Sequence, residues 1–339
     1  MREQLPISDE RCLIDLHLHL DGSISVPMAR RLAALEGQTI DLTDTELGEL
    51  LSVTADCRDL NEYLQKFDFT ARLLETKEQL SECMYLLQEW LQELGYLYAE
   101  IRFAPQRHGG RGLSQREAVE AVLEGLGRSC FEAGVILCCM RGDDAHEANF
   151  ETVRLASEYM GQGVVALDLA GAEALFPTAD YREEFALARE LGVPFTIHAG
   201  EAAGPESVRD ALSFGATRIG HGLRSVEDEE LLARIANEGI TLETCPTSEL
   251  QTSIIDDYAR FPMRRLLDEG VRVTVNSDNM AVSATDVRRE LLLLTSIFHL
   301  SRADVRQLLI NAAQAAFASD ALKEELVRRI DEEFGDTRG

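Results

Sequence analysis

The chain lacks any apolar run of about 20 residues, the length a membrane span requires. Basic residues are few, 33 against 60 acidic ones, and the net charge of −27 opposes binding to nucleic acid or to anionic lipid. Residues 1–6 lack the apolar core of a secretory signal, and the seven unevenly spaced cysteines include no CxxC pair. We therefore expect a soluble cytoplasmic protein with reduced thiols and with neither membrane nor nucleic acid as a partner.

Internal repeats, low-complexity tracts and linkers rich in Pro, Gly or Ser are also lacking, so nothing in the sequence marks a domain boundary. With 45% hydrophobic residues the chain can bury a large core. A length of 339 residues is long for one domain, but a barrel surrounded by helices commonly reaches this size as a single unit. We predict one domain over residues 1–339.

Short apolar runs typical of strands recur along the chain, and beyond Gly95 they alternate with helical stretches. Residues 26–94 show helical patterns but no convincing strand. An amphipathic helix is predicted over 114–131, another over 226–238, and closing helices over 301–334. The predicted strands cover residues 12–16, 96–103, 135–140, 164–169, 193–197, 218–220, 240–244 and 271–275. Eight strands with intervening helices favour an α/β fold of the TIM (β/α)8 barrel type, with a helical insertion after the first strand.

Histidines and one aspartate follow the ends of predicted strands. His17 and His19 are two residues apart, so both face the same side of a strand. His198 and Asp278 each follow a later strand, and the carboxyl ends of barrel strands meet at one face. A lone HxH pair can simply be packed, but three imidazoles and a carboxylate together suit Zn²⁺, with Fe²⁺ or Mn²⁺ also compatible. We predict one metal ion per chain at these four residues, with Zn²⁺ the best match.

Two further groups are candidates for proton transfer. Glu201 lies three residues after His198, close enough to face a metal without binding it. Its alternative role is a carboxylate at a helix start near Pro205. His221 follows another strand end between two glycines, where it would orient a water molecule or receive its proton, unless it is a packed structural histidine. The remaining histidines, His108, His146 and His299, are predicted to be surface or helix residues.

Six motifs resemble, in order, those of the adenosine deaminase family of the amidohydrolase superfamily. They are residues 16–23 (LHLHLDGS), 168–171 (DLAG), 198–202 (HAGEA), 218–222 (RIGHG), 245–248 (CPTS) and 276–278 (NSD). The resemblance implies a (β/α)8 barrel with a catalytic zinc. It also implies hydrolysis of adenosine and 2′-deoxyadenosine to inosine and 2′-deoxyinosine, with release of ammonia.

The resemblance also implies a role for each matching residue. The zinc ligands would be His17, His19, His198 and Asp278. Glu201 would donate a proton to the purine ring, and His221 would be the partner of the attacking water. His19 and Asp21 would contact the ribose, and the backbone of Gly171 would contact the purine.

Two positions depart from the family pattern. Asn279 stands where the family commonly has a second aspartate that meets the imidazole nitrogen of the purine, and Glu249 stands where it often has asparagine. An amide still donates a hydrogen bond to an unprotonated ring nitrogen, whereas a carboxylate must first carry a proton. Substrate binding through Asn279 is therefore expected in altered form.

Other functions stay open at this point. One alternative is a deaminase of another aminopurine, such as adenine or a modified adenosine. Asp21 favours a nucleoside substrate, because relatives that act on the free base tend to carry Glu at this position. A purine-binding protein without catalysis and a phosphoesterase with the same HxH start are less favoured. The sequence gives no oligomeric state. The position of the helical insertion suggests the hypothesis that it acts as a lid.

Overall fold

The computed structural model describes residues 7, 10–54, 57 and 59–335. All pairings between neighbouring strands are parallel, and the strands follow chain order. The strands are β1 (Leu13–His19), β2 (Tyr96–Phe103), β3 (Ala133–Met140), β4 (Val164–Ala170), β5 (His198–Ala199), β6 (Arg218–His221), β7 (Thr241–Thr244) and β8 (Arg272–Val275).

The strands form a closed ring. Regular ladders connect the neighbouring strands from β1 through β4 and those from β5 through β8. Two isolated parallel bridges link these two sets, one between Leu18 and Asp278 and the other between Leu167 and Phe195. At the first junction the Asp278 N–H donates to the carbonyl of His17 at 2.9 Å. The predicted α/β barrel is therefore confirmed, and its closure brings the end of β1 beside the residue that follows β8.

The fifth strand differs from its prediction. Residues 193–197 make only the bridge at Phe195, and the regular ladder covers His198–Ala199 instead. Pro194 accepts from the Leu167 N–H at 2.9 Å but has no N–H of its own to donate to β4. Beyond Thr196 the N–H groups of Leu169 and His198 bond to the Asp168 side chain, so the ladder with β4 does not continue. The other seven predicted strands lie within two residues of the observed ones at each end, with the exception of β1, which continues through His19.

Helices alternate with the strands around the barrel. Those between β1 and β2 are α1 (Val26–Leu35), α2 (Asp44–Leu51), α3 (Leu60–Leu64), α4 (Phe67–Ala71) and α5 (Lys77–Leu94), so the predicted helical insertion is present. The following helices are α6 (Gln115–Leu126), α7 (His146–Tyr159), α8 (Arg182–Glu190), α9 (Pro205–Phe214), α10 (Glu229–Glu238), α11 (Pro246–Gln251), α12 (Met263–Asp268), α13 (Val287–Phe298), α14 (Arg302–Ala315) and α15 (Asp320–Gly335). Short 3-10 helices cover Pro105–Arg111, Thr178–Tyr181, Leu223–Glu227 and Tyr258–Arg260.

The helix boundaries agree with the local capping chemistry. Ser114 and Glu117 form the capping box that starts α6, but this helix ends at Leu126, short of residue 131. The predicted helix over 226–238 is divided, because a 3-10 helix precedes α10. The closing segment consists of α14 and α15. Across the described ranges, no helix combines the length and apolar character needed to cross a bilayer.

Burial shows where the core lies. Every residue of β2 is buried, as expected for a strand covered on one face by helices and on the other by the barrel interior. That interior is partly charged, since Glu100, Arg102, Arg218 and Glu243 are at most 2% exposed. Buried charges are tolerated only when they are paired. The interior of this barrel therefore contains ion pairs beneath its carboxyl-terminal face.

Candidate metal centre and pocket

The four predicted ligands converge at the carboxyl-terminal face of the barrel. The Nε2 atom of His198 lies 3.0 Å from Nε2 of His17 and 3.3 Å from Nε2 of His19. The Asp278 Oδ1 atom lies 3.6 Å and 3.4 Å from the same two nitrogens. In a tetrahedral site with zinc–ligand bonds of about 2.0–2.1 Å, the ligand atoms are about 3.3 Å apart. The cluster therefore has the spacing that a zinc ion requires.

Two of these imidazoles have a carboxylate beside Nδ1, on the side of the ring away from the ligand cluster. The Nδ1 atom of His17 lies 2.9 Å from Glu243 Oε2, and Nδ1 of His198 lies 2.8 Å from Asp168 Oδ2. The His17 contact is a hydrogen bond, which holds the ring proton on Nδ1 and leaves the lone pair on Nε2, and the nearby Asp168 carboxylate favours the same tautomer of His198. Burial lowers the pKa of His17 and lowers that of His19 to about 3, so both are neutral. Lone pairs that face each other at this distance repel unless a cation lies among them.

An arginine joins the two supporting carboxylates. Arg102 donates to Asp168 Oδ2 at 2.9 Å and to Glu243 Oε2 at 2.8 Å. Arg218 donates to the other oxygen of Glu243 and to Glu100, both at 2.6 Å. Burial acts to raise the pKa of Glu243, but Arg218 and Arg102 outweigh it and lower that pKa to about 2. The carboxylate behind His17 is therefore ionised and fixed from two sides.

Sequence reasoning missed these supporting residues. A signal was present, because Glu100 and Arg102 interrupt an apolar strand at alternating positions, and Glu243 does the same in β7. Charged residues in a strand buried on both faces require partners inside the barrel. The pattern indicates that such partners exist, but it does not identify them.

The close approach of the ligands depends on local backbone features. A Cβ atom on Gly220 would lie 3.0 Å from Cε1 of His17 and 3.2 Å from Cα of His198, so a larger residue would force the two histidines apart. His221 and Asp278 both have φ of 59°, in the left-handed region. Such a conformation costs roughly 1–3 kcal/mol in non-glycine residues and is typical of functional sites held by their surroundings.

Glu201 and His221 lie beside the ligand cluster. Glu201 is 4% exposed, and burial raises its pKa, so its carboxyl group keeps a proton to higher pH than an exposed glutamate. Its Oε1 atom is 3.7 Å from Nε2 of His221. α9 begins only at Pro205, so Glu201 precedes the helix rather than starting it.

His221 is surrounded by carboxylates. Its Nδ1 atom lies 3.4 Å from Oε1 of Glu249, the residue that departs from the family pattern. Burial acts to lower the pKa of His221, but Glu201, Glu249 and Asp278 outweigh it and raise that pKa to about 10. The positive charge of a divalent cation held by the cluster would act in the opposite direction. Glu249 is fully buried and also accepts a hydrogen bond from the Cys245 N–H, so it supports His221 from behind.

A cavity of about 260 Å³ opens above the cluster. Its lining includes the predicted substrate-contacting residues His19, Asp21, Gly171 and Asn279, together with Glu201, His221, His198 and Asp278. Other lining residues are Leu60, Tyr63, Leu64 and Phe67 from the helical insertion and Ala104, Arg107, Cys138, Met140, Arg141, Ala170 and Ala172 from the barrel. A cavity that combines apolar walls with convergent polar groups suits a small aromatic ligand.

Asn279 lies between the insertion and the barrel. Its Oδ1 atom has no hydrogen-bond partner among the described residues. Nearby, the hydroxyl of Tyr63 on α3 lies 2.6 Å from the hydroxyl of Ser283. This contact ties the insertion to the chain that follows Asn279, so the insertion covers the pocket on the side of this amide.

The other histidines lie outside the pocket. His146 begins α7 and His299 follows α13, as their prediction as helix or surface residues requires. His108 belongs to a 3-10 helix but is only 2% exposed, and its Nδ1 atom contacts the carbonyl of Leu74 at 3.1 Å. Its ring therefore has a structural contact in the described chain.

Comparison with known proteins gives consistent results. Residues 12–333 match the family model described as adenosine deaminase. Adenosine deaminase from Haemophilus ducreyi is 47% identical over 331 residues, which cover 95% of this chain and 96% of that protein. The structure of adenine deaminase from Arthrobacter aurescens is 27% identical, with a TM-score of 0.86 and coverage of 95% of this chain and 98% of that one.

An amidohydrolase from Burkholderia ambifaria, solved with bound Zn, shares the fold. Its TM-score is 0.85 at 22% identity, and the match covers 96% of this chain and 91% of that one.

Proposed function

The chain belongs to the adenosine deaminase family, and on this premise we propose that it hydrolyses adenosine and 2′-deoxyadenosine to inosine and 2′-deoxyinosine with release of ammonia. The observation that carries the proposal is the convergence, in one cavity, of a zinc-type ligand cluster with the buried carboxyl group of Glu201. A 47% identical relative named adenosine deaminase supports adenosine as the substrate.

We propose one zinc ion per chain, held by His17, His19, His198 and Asp278. The ligand atoms of these residues all lie within 4.8 Å of one another, and the donor set of nitrogen and oxygen is one that zinc prefers. When bound, zinc supplies Lewis acidity that makes a water molecule a nucleophile near neutral pH. The carboxylates behind His17 and His198 fix these rings for this purpose.

The residues around the cluster provide the proton transfers. Glu201 donates its proton to the ring nitrogen next to the carbon that bears the amino group, which withdraws electron density from that carbon. His221 faces the same space and orients the attacking water. A carbon–oxygen bond forms between that carbon and the water oxygen, and the carbon–nitrogen bond to the amino group breaks. One proton of the water leaves with the amino group as ammonia, the other restores Glu201, and the proton that Glu201 donated stays on the ring nitrogen of the product.

Substrate recognition involves both ends of the pocket. We propose that His19 and Asp21 bind the ribose, that the backbone of Gly171 contacts the purine, and that Asn279 donates to its imidazole nitrogen. All four line the same cavity. The partner is therefore a small purine nucleoside. The cysteine pattern keeps the cytoplasm as the proposed compartment.

The main alternative is deamination of adenine or of a modified adenosine. The test is the loss of the aminopurine absorbance band with adenosine, 2′-deoxyadenosine, adenine and N6-methyladenosine in parallel. We expect kcat/KM for adenosine to exceed that for adenine by at least about a hundredfold, because adenine leaves the polar groups of the ribose end unpaired. Equal or faster turnover of adenine would contradict the proposal.

Asn279 is expected to make purine binding independent of carboxyl protonation. In an Asn279→Asp variant, the side chain donates to the ring nitrogen only while it is protonated. Its kcat/KM should therefore be closest to that of the parent at low pH and decline as the aspartate ionises, by about tenfold to a hundredfold for a lost buried hydrogen bond. The measurement is kcat/KM for adenosine between pH 5 and pH 8.

The matched control for this pH series is Asn279→Ala. This variant lacks the contact at every pH, so the ratio of its kcat/KM to that of the parent should stay constant across the pH series. A pH profile of Asn279→Asp that is parallel to that of the parent would show that Asn279 does not donate to the purine.

A further inference from the structure

The segment that carries Glu201 is held by one buried carboxylate. Glu173 follows β4, is 1% exposed, and accepts hydrogen bonds from four consecutive backbone N–H groups and from the hydroxyl of Ser207. The N–H donors are Gly200 at 2.8 Å, Glu201 at 3.0 Å, Ala202 at 2.6 Å and Ala203 at 2.8 Å. Without Glu173, four backbone donors would face the interior unpaired.

The shape of the segment explains why the donors share one acceptor. Gly200 has φ of 70°, and its left-handed conformation turns the chain sharply after β5. Successive N–H groups in such a turn point to a common centre and form a cavity for an anion. The same carboxylate lies at the first turn of α9 through Ser207, where the helix dipole favours negative charge.

The preceding residue of the site is fixed independently. Arg141 donates to the carbonyl of His198 at 2.7 Å and to the hydroxyl of Thr178 at 2.9 Å. Thr178 in turn contacts Ser207 at 2.7 Å. The segment is therefore held at His198 by Arg141 and from Gly200 onward by Glu173, and a hydroxyl pair connects these two anchors.

We propose that Glu173 is a positioning residue, which sets the place of the Glu201 carboxyl group in the pocket through the backbone that carries it. Glu173 does not line the cavity, so it acts without contact to the substrate. This inference rests on the proposed function, because it assumes that the placement of Glu201 limits turnover. Burial is the main cause that raises the pKa of Glu201, and the negative charge of Glu173 adds to it.

Replacement by glutamine tests the proposal with nearly unchanged volume. The single oxygen of Glu173→Gln cannot serve all five donors, and its NH₂ group would face N–H groups. We expect kcat for adenosine to fall about tenfold to a hundredfold, as for a catalytic group displaced by about 1 Å, while KM changes less than about threefold. The metal content should remain at one equivalent.

Two further variants separate positioning from general damage. Glu184→Gln removes another buried carboxylate, which contacts His146 away from the pocket, and should leave kcat unchanged. Glu173→Asp keeps the charge but withdraws the oxygens, so it should also lower kcat. If Glu173→Gln does not fold, the kcat of Glu173→Asp decides. A folded Glu173→Asp or Glu173→Gln enzyme with the parental kcat would overturn the proposal.

A double variant shows whether Glu173 acts through Glu201. In a Glu201→Gln background, Glu173→Gln should reduce the residual turnover by less than about threefold, because the group it positions is already lost. If Glu173→Gln lowered turnover in the Glu201→Gln background by the same factor as in the parent enzyme, the proposal would be overturned. Parental activity of Glu201→Gln alone would instead refute the proposed role of Glu201, so the two failures are distinguishable.

Discussion

The Glu201→Gln enzyme is expected to lose nearly all turnover of adenosine while it retains its metal. Burial raises the pKa of Glu201, so its carboxyl group keeps a proton to higher pH than an exposed glutamate does. The amide has the same shape but no acidic proton to transfer. Loss of a general acid lowers kcat by about 10²- to 10⁴-fold. Steady-state kinetics and elemental analysis of the same preparation measure both properties.

The ligand cluster provides the internal control for this variant. Glu201 is not among the residues whose ligand atoms meet around the proposed metal position, so its replacement should leave zinc at one equivalent per chain. The Glu184→Gln variant controls for loss of a buried carboxylate. Turnover of Glu201→Gln within about threefold of the parent would remove Glu201 from the mechanism, because general acid catalysis contributes far more than this.

The second large effect is expected for His198→Ala, which should lose bound zinc. The imidazole of His198 is within 3.3 Å of the Nε2 atoms of both His17 and His19 and completes the cluster. Its removal leaves three of the four side chains proposed to hold the metal. It also removes the contact of 2.8 Å between Nδ1 of His198 and Asp168, so this buried carboxylate loses one of its partners. Zinc after dialysis should fall below about one tenth of an equivalent, with activity lost in parallel.

His299→Ala is the matched control for removal of an imidazole. His299 is exposed and follows α13, away from the cavity, so this variant should keep the zinc and the activity of the parent. A full equivalent of zinc in His198→Ala, measured by elemental analysis, would show that the ligand set is wrong.

The fold followed from the sequence where local patterns are strong. Apolar runs and helical spacing gave the strands and the insertion, because side-chain periodicity depends on neighbours along the chain. The ladder of the fifth strand was displaced because Pro194 lacks an N–H and because the Asp168 side chain binds the N–H groups of Leu169 and His198. The helix predicted over 114–131 was too long, because apolar residues beyond Leu126 belong to the turn before β3.

The sequence by itself identified the candidate residues of the site, because the order of strands places particular side chains at particular strand ends. Alternation put His17 and His19 on one face. Position after a strand end indicated His221 and Asp278, and the short distance from His198 along the chain indicated Glu201. These residues needed only their own strand and its end to be recognised.

Only the tertiary structure decided how these groups are supported. Arg102 and His17 both contact Glu243, which lies 141 and 226 positions further along the chain. These residues meet because the barrel closes in one register. The four N–H groups that Glu173 binds converge only once the turn at Gly200 has formed. Periodicity constrains the side of an element on which a residue lies, whereas contacts between distant residues depend on how all eight strands are arranged around the barrel.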